Sequence, residues 1–325
     1  MADHVDEDYD GGSIFIYREG EAPWHITHAR IDKSLDEIEE YAFIECELLV
    51  HVDTHDGIRR VGKKAFWYCT SLLRINIKFV FEINEEAFCG CENLESVEFG
   101  DRLETIGSTA FKGCSSLNHL KLPSIITIRQ YAFLSCKRLT DVELSERLEF
   151  IGGAAFANCE SLQRIVVPLK RDLFAFDDFY QRYTQFDDCE QLATVDLVGQ
   201  AHTKTIASFH MESWKTEMSA EIDRINQVLP GTDKKEKTDT IQQWMESLLD
   251  KLDHYKAEHC RYIKEGATLL ELALWKAKLD EKEEYAGEGK SKKVKVDAKS
   301  SRKEKRVTCG ADTVIKNVLP FLQLE

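Results

Sequence analysis

"AFKGCSSL", residues 110–117, is a phrase that this chain repeats almost unchanged. "AFIECELL" stands at 42–49, "AFWYCTSL" at 65–72, "AFCGCENL" at 87–94, "AFLSCKRL" at 132–139 and "AFANCESL" at 155–162. A worn copy, "QFDDCEQL", follows at 185–192. Phe43, Phe66, Phe88, Phe111, Phe133 and Phe156 step by 22 or 23 residues, and Phe186 comes 30 later. Each copy continues as C-x-x-L-x-x-[VIL]-x-[VILF], except that Asp53 breaks the last position of the first. Ile38, Val61, Ile83, Ile106, Ile128 and Ile151 precede the AF pairs. A fixed period of this length signals stacked coils, none of which can bury its apolar side alone.

The V-x-L segment alternates as a half-buried strand does. Successive coils then build a parallel sheet at about 4.8 Å per coil, so seven coils span about 30–35 Å. A longer period lies beneath the first. Gly62, Gly107 and Gly152 recur at intervals of 45, with Glu39, Asn84 and Arg129 in the alternate coils. These glycines mark either a positive φ or a close backbone approach. Charge follows the same pairing. The residues flanking the inner strand position are His51/Asp53, Arg74/Asn76, Ser96/Glu98, His119/Lys121, Asp141/Glu143, Arg164/Val166 and Thr194/Asp196. With histidine neutral, the sign alternates from coil to coil. Opposite charges on neighbouring strands hold register, each pair contributing about 0.2–1 kcal/mol. The same side chains can form a mixed-charge recognition face.

The pattern I-G-x-x-A-F-x-x-C-x-x-L-x-x-I resembles the BspA-type leucine-rich-repeat family over about residues 35–197. That resemblance implies a curved solenoid used for protein–protein contact, with no catalytic residues to carry over. The last copy departs from the pattern by an insertion in "KRDLFAFDDFYQRYTQFDDC", as a terminal capping unit would. The pieces "HTKTIASFHMESWKTEM", "IQQWMESLLDKLDHYKAEH" and "LLELALWKAKL" resemble an extension of microalgal leucine-rich-repeat proteins, which implies no activity.

Ahead of the array, "SIFIYREGEAPWHITHARI" alternates around a turn, which reads as a β-hairpin cap over residues 13–34. Residues 1–12 are acidic and expected to be disordered. The solenoid is expected over 35–200 and a helical domain over 207–325, giving an α+β chain. Met211, Trp214, Met218, Ile222, Ile225 and Leu229 line one helix, which Pro230-Gly231 stops. Asp239 and Gln242 resemble a capping box opening a second, lined by Ile241, Trp244, Leu248, Leu252, Tyr255 and Tyr262. Gly266 kinks it or separates a third helix, "ATLLELALWKAKL", apolar on most sides and therefore expected to be buried. Segment 289–306 holds nine Lys/Arg against two acidic residues: a solvated tether, or a nuclear-import signal at Lys292, Lys293 and Lys295. The apolar tail residues Val314, Ile315, Val318, Leu319, Phe321 and Leu322 are expected to dock back on the helices.

The net charge of −15 argues against a general nucleic-acid binder. No apolar run reaches the ~18 residues of a membrane span. The acidic start lacks the basic-then-apolar order of a secretory signal, so the chain reads as cytoplasmic, or nuclear through its basic cluster. Seven of the ten cysteines share one repeat position: Cys46, Cys69, Cys91, Cys114, Cys136, Cys159 and Cys189. They read as small buried apolar residues and free thiols.

No P-loop, dinucleotide glycine fingerprint or G-x-S-x-G occurs, and no cofactor or enzymatic activity is expected. The leading expectation is an adaptor or scaffold that grips a protein partner of unknown identity on its strand face. Arg74, Asn76, Glu98, His119, Lys121, Asp141, Glu143 and Arg164 are the candidate contact residues. No metal site is assigned, His51, Asp53 and His55 being weak candidates that alternate on one strand. His254 with Glu258 and His259 reads as a polar stripe rather than a metal pair. The alternatives are a regulatory module with a metal or thiol redox site (Cys89-Gly-Cys91 among the thiols) and a self-associating scaffold.

Overall fold

The computed structural model describes residues 5–6, 14–174, 184–199 and 208–287. The C-x-x-L-x-x-V-x-L segments form the expected strands, paired in parallel from coil to coil. Ile14–Tyr17, His28–Ile31, His51–Asp53, Arg74–Ile77 and Ser96–Phe99 make one run, and His119–Leu122, Asp141–Leu144, Arg164–Pro168 and Thr194–Val198 a second. The run is therefore broken between Ser96–Phe99 and His119–Leu122, where one continuous sheet was expected. Phe99 occupies the last strand position there, and its ring sits edge-on to Phe111 at 5.9 Å. A second parallel sheet, not foreseen from the sequence, joins the two-residue strands Glu37–Ile38, Arg60–Val61, Glu82–Ile83, Thr105–Ile106, Thr127–Ile128 and Phe150–Ile151. Its six strands mark about six turns, close to the seven coils expected.

The repeated phenylalanine explains why the coils stack in register. Neighbouring rings from Phe43 to Phe156 lie parallel at 5.0–5.2 Å, within the range where offset aromatic pairs attract. Tyr17 closes the stack at one end and Phe186 continues it at the other. The repeated cysteine does more than fill space. Each thiol from Cys69 to Cys189 donates to the phenylalanine carbonyl of the preceding coil, as Cys91 does to Phe66 O at 3.0 Å and Cys114 to Phe88 O at 3.2 Å. A buried carbonyl with a spare lone pair thus finds a donor small enough for the slot.

Gly62, Gly107 and Gly152 resolve to close approach and not to positive φ. A Cβ on Gly107 would lie 2.6 Å from the backbone of Asn84 and Glu85 in the preceding coil. Positive φ falls instead on the residue before each AF pair (Lys64, Thr109 and Tyr131 among them) and on the residue two after each Phe, such as Tyr68, Gly113 and Ser135.

At the amino-terminal edge the expected hairpin is corrected. Ile14–Tyr17 pairs with His28–Ile31 in parallel, Phe15 opposite Ala29. The segment is one more coil, because its two strands enter the same stack and not an antiparallel ribbon. Val5–Asp6, inside the stretch expected to be disordered, pairs antiparallel with Ile14–Tyr17 and covers part of the open edge. The rest of residues 1–12 lies outside the described residues.

Two helices follow, α1 at Ser208–Val228 and α2 at Lys237–Gly287, separated by a 3-10 turn at Leu229–Gly231. The last coil has no successor to pair its backbone, and the helices replace it. In earlier coils the phenylalanine N–H donates to the next coil, as Phe111 does to Ala132 O. Phe186 N donates instead to Thr238 Oγ1 at 3.0 Å, and Val195 N to Asn226 Oδ1 at 2.8 Å. The buried Lys237 ammonium donates to Glu190 O at 2.9 Å and Leu192 O at 2.6 Å. Burial holds its pKa below the ordinary lysine value. Ile225, Leu229, Ile241, Trp244, Met245 and Leu248 extend the core of the coils. Lys237→Met keeps the apolar stem but strands two carbonyls. It is expected to lower stability by about 2 kcal/mol in urea unfolding, with coil-body secondary structure retained. A value within experimental error of the parent would show that the ammonium is dispensable.

Three helical expectations are corrected. Asp239 and Gln242 form no capping box: α2 starts at Lys237, so Asp239 lies in its first turn, and Gln242 donates to Glu246. No third helix separates at Gly266, because a single glycine costs only about 1 kcal/mol and leaves the backbone bonds intact. Nor are the described side chains of this stretch buried as expected: Leu269 and Trp275 are 67% and 62% exposed. Segment 289–306 and the apolar tail fall outside the described residues. The chain divides into two compact units, 1–199 with 216–249, and 200–215 with 250–325.

Candidate partner-binding face

The outward positions of the long strands form two columns. His28, His51, Arg74 and Ser96 stand in register in one run, and His119, Asp141, Arg164 and Thr194 in the other. Beside them run Arg30 and Asp53, then Asn76 and Glu98, then Lys121, Glu143, Val166 and Asp196. Alternation puts all of these on one side of the strand and the core residues on the other.

Most of the charges pair between coils, as the alternating signs suggest. Lys121 Nζ lies 3.1 Å from Glu143 Oε2. Arg164 reaches Asp141 at 3.4 Å, Glu143 at 3.8 Å and Asp196 at 3.3 Å. Arg30 pairs with Asp53, and Lys78, just past its strand, with Glu98. Arg74 is the exception. Asp53 is held by Arg30 and His51, and Glu98 by Lys78. Arg74 is left between His51 and Ser96 with no ion pair among the described residues. Arg74, Asn76 and His119 are exposed. The structure therefore splits the eight candidate residues into an ion-paired group (Glu98, Lys121, Asp141, Glu143 and Arg164) and a group without ion pairs: Arg74, Asn76, whose Oδ1 accepts from Lys78 N at 3.2 Å, and His119, near Thr140 Oγ1 at 3.4 Å. Sequence reasoning missed His28 and Arg30, because the first coil lacks the AF phrase that sets the phase.

His51, Asp53 and His55 do not converge. His51 Nε2 meets Asp53 Oδ1 at 2.9 Å. His55 instead bonds its own turn: Gly57 N donates to Nδ1 at 3.1 Å, and Nε2 donates to Asp32 O at 3.0 Å. Both ring nitrogens are thus engaged, with the proton on Nε2. No group of three His, Cys, Asp or Glu among the described residues is placed to hold a metal ion.

The nine described cysteines are free thiols. Burial pushes the Cys46 thiol up to about 11 and raises the other thiols of the ladder as well. Cys89 and Cys91 are both raised by burial, the wrong direction for a reactive pair. Alkylation of the native protein at pH 8 with mass-spectrometric mapping is expected to mark the exposed Cys260 and spare the ladder. Modification of Cys89 or Cys91 at a rate matching Cys260 would restore the redox reading.

No described helix is long and apolar enough to cross a membrane. A family model described as a BspA type leucine rich repeat region matches residues 23–82 and 78–185, in six copies. A leucine rich repeat protein of T. pallidum is 25% identical, with 58% of this chain and 87% of that one covered and a TM-score of 0.44. A leucine rich cell surface protein from Faecalibacterium prausnitzii is 23% identical, covering 59% and 68% with a TM-score of 0.42. A leucine-rich repeat protein from Bacteroides ovatus is 21% identical, covering 61% and 70% with a TM-score of 0.36. No curated protein matches the chain.

Proposed function

The chain belongs to the BspA-type leucine-rich-repeat family, and from that premise we propose that it is a protein-binding adaptor whose partner seats on the long-strand face around Arg74 and Asn76. The family's fold is generally a protein-interaction or adhesion scaffold, and such repeats are typically binding modules without catalysis. One observation carries the finer reading. The face is a rigid ladder whose charges satisfy one another everywhere except at Arg74. An exposed guanidinium with five donors and no internal carboxylate suits an anionic side chain on a partner. The body is in place before binding, so few rotamers need ordering at the contact. An intracellular, reducing setting fits the nine unbonded thiols. The adaptor needs no catalytic group of its own.

The test contrasts two charge reversals in the full chain, with capture from cell extract and thermal melting read together. Arg74→Glu is expected to abolish specific capture while stability stays within about 0.5 kcal/mol of the parent. Lys121→Glu breaks one exposed ion pair and faces Glu143, so it lowers stability by about 1 kcal/mol or less. It is expected to leave capture largely intact. Capture that survives Arg74→Glu, or that follows stability in both variants, would move the binding surface elsewhere.

A further inference from the structure

The second unit carries apolar surface that its described residues do not cover. Near Tyr255, α2 is packed: the Trp214 ring meets Tyr255 edge-on at 5.7 Å. Further along, Leu269, Leu270, Leu272, Leu274 and Trp275 are all 57–67% exposed. Five large apolar side chains within seven positions, spread around the helix, require cover in water.

We propose that the chain's own apolar tail, Val314 to Leu322, docks on α2 over Leu269–Trp275. Three features select this occupant. The first is reach. Leu269 lies 18 residues back from Gly287, about 27 Å along a helix. The 26 residues between Gly287 and Val314 extend to about 85 Å, so the return is unstrained. The second is charge. Residues 280–288 hold Asp280, Glu281, Glu283, Glu284 and Glu288 against one lysine. Residues 289–306 hold nine Lys/Arg against two acidic residues. A chain that turns back after Gly289 lays its basic segment along the acidic end of α2 before its apolar tail reaches the leucines. The third is order: along α2 apolar precedes acidic, and afterwards basic precedes apolar. The two halves are therefore complementary when antiparallel, and mismatched in any parallel arrangement. Val314, Ile315, Val318 and Leu319 fall at i, i+1, i+4 and i+5, the spacing of one broad apolar helix side, and all four precede Pro320. Docking also occupies the basic cluster of Lys292, Lys293 and Lys295 against acidic residues.

The experiment compares the full chain with full-chain Val318→Asp/Leu319→Asp by hydrogen–deuterium exchange at several concentrations, with molar mass measured by light scattering. The expected result is a monomer in which peptides covering 266–276 exchange at least tenfold more slowly than in the variant. That protection should also weaken in high salt as the charge pairing is screened. Equal exchange in the two proteins would overturn the proposal, because the leucines would then be uncovered by the tail. So would protection that survives the double substitution and rises with concentration alongside a dimer mass, which would assign the surface to a second copy of the chain.

Discussion

Phe111→Ala is expected to destabilise the protein by about 3–5 kcal/mol and to abolish cooperative unfolding of the coil body. Phe111 is fully buried. Its ring stacks at 5.0 Å on Phe88 and 5.2 Å on Phe133, with Phe99 against its edge. Truncation removes contact area on both faces and leaves a void between two coils. Rigid coils on either side cannot collapse into it, since their backbones are hydrogen-bonded through the same level. In a stack where each unit touches only its neighbours, weakening one middle interface splits the array into halves. Urea unfolding followed by circular dichroism measures this: the single transition of the parent is expected to become two, the first at lower urea. Phe111→Leu keeps most of the slot filled and is expected to cost less than half as much. A loss under about 1 kcal/mol for the alanine variant would mean that the ladder is not the source of stability.

The second prediction contrasts the same small change at two glycines. Gly107→Ala is expected to cost about 3 kcal/mol or more, because the new Cβ would sit 2.6 Å from backbone atoms of Asn84 and Glu85. Backbone cannot rotate aside as a side chain does, so two coils must part. Gly113 has the opposite problem. Its φ of 76° strains any Cβ, but the nearest atom to that Cβ is 3.9 Å away. Gly113→Ala is expected to cost about 1–2 kcal/mol, the ordinary penalty of a left-handed residue. Ser135 and Asn158 hold the same place with positive φ, which shows that the fold accommodates a side chain there. Thermal melts of the two variants should rank Gly107→Ala well below Gly113→Ala. Equal losses would mean that coil spacing adjusts freely at Gly107.

The core was legible because its signal is redundant. Ala, Phe, Cys and Leu recur in phase, and all of them are buried in every intact copy. A period can therefore be counted without knowing any distance. Legibility failed where a residue's partner lies in another coil. Cysteine reads from its type as an apolar filler, but its donor role depends on a carbonyl 25 or 26 positions away. The short-strand sheet was missed because Thr105–Ile106 and its like are two residues long and carry no alternation to detect. The 267–279 stretch reads as buried from its composition, but exposure depends on which neighbours reach it. Lys237 sits in a loop-like run of charges, and only the truncated end of the stack gives its ammonium two carbonyls to satisfy.

On the candidate face the division is sharper still. Charge signs along the strands were readable, and their alternation implied pairing between coils. Which pairs form was decided in space: Arg30 and His51 take Asp53, Lys78 takes Glu98, and Arg74 is left over. By itself the sequence determined the solenoid, its phase and its buried ladders, because those follow from side-chain chemistry repeated at a fixed interval. Tertiary structure alone decided the break in the long-strand sheet, the helix that stands in for the missing next coil, and the cation left without a partner. Those depend on competition between nearby groups for the same few ångströms, and a linear pattern does not rank the competitors.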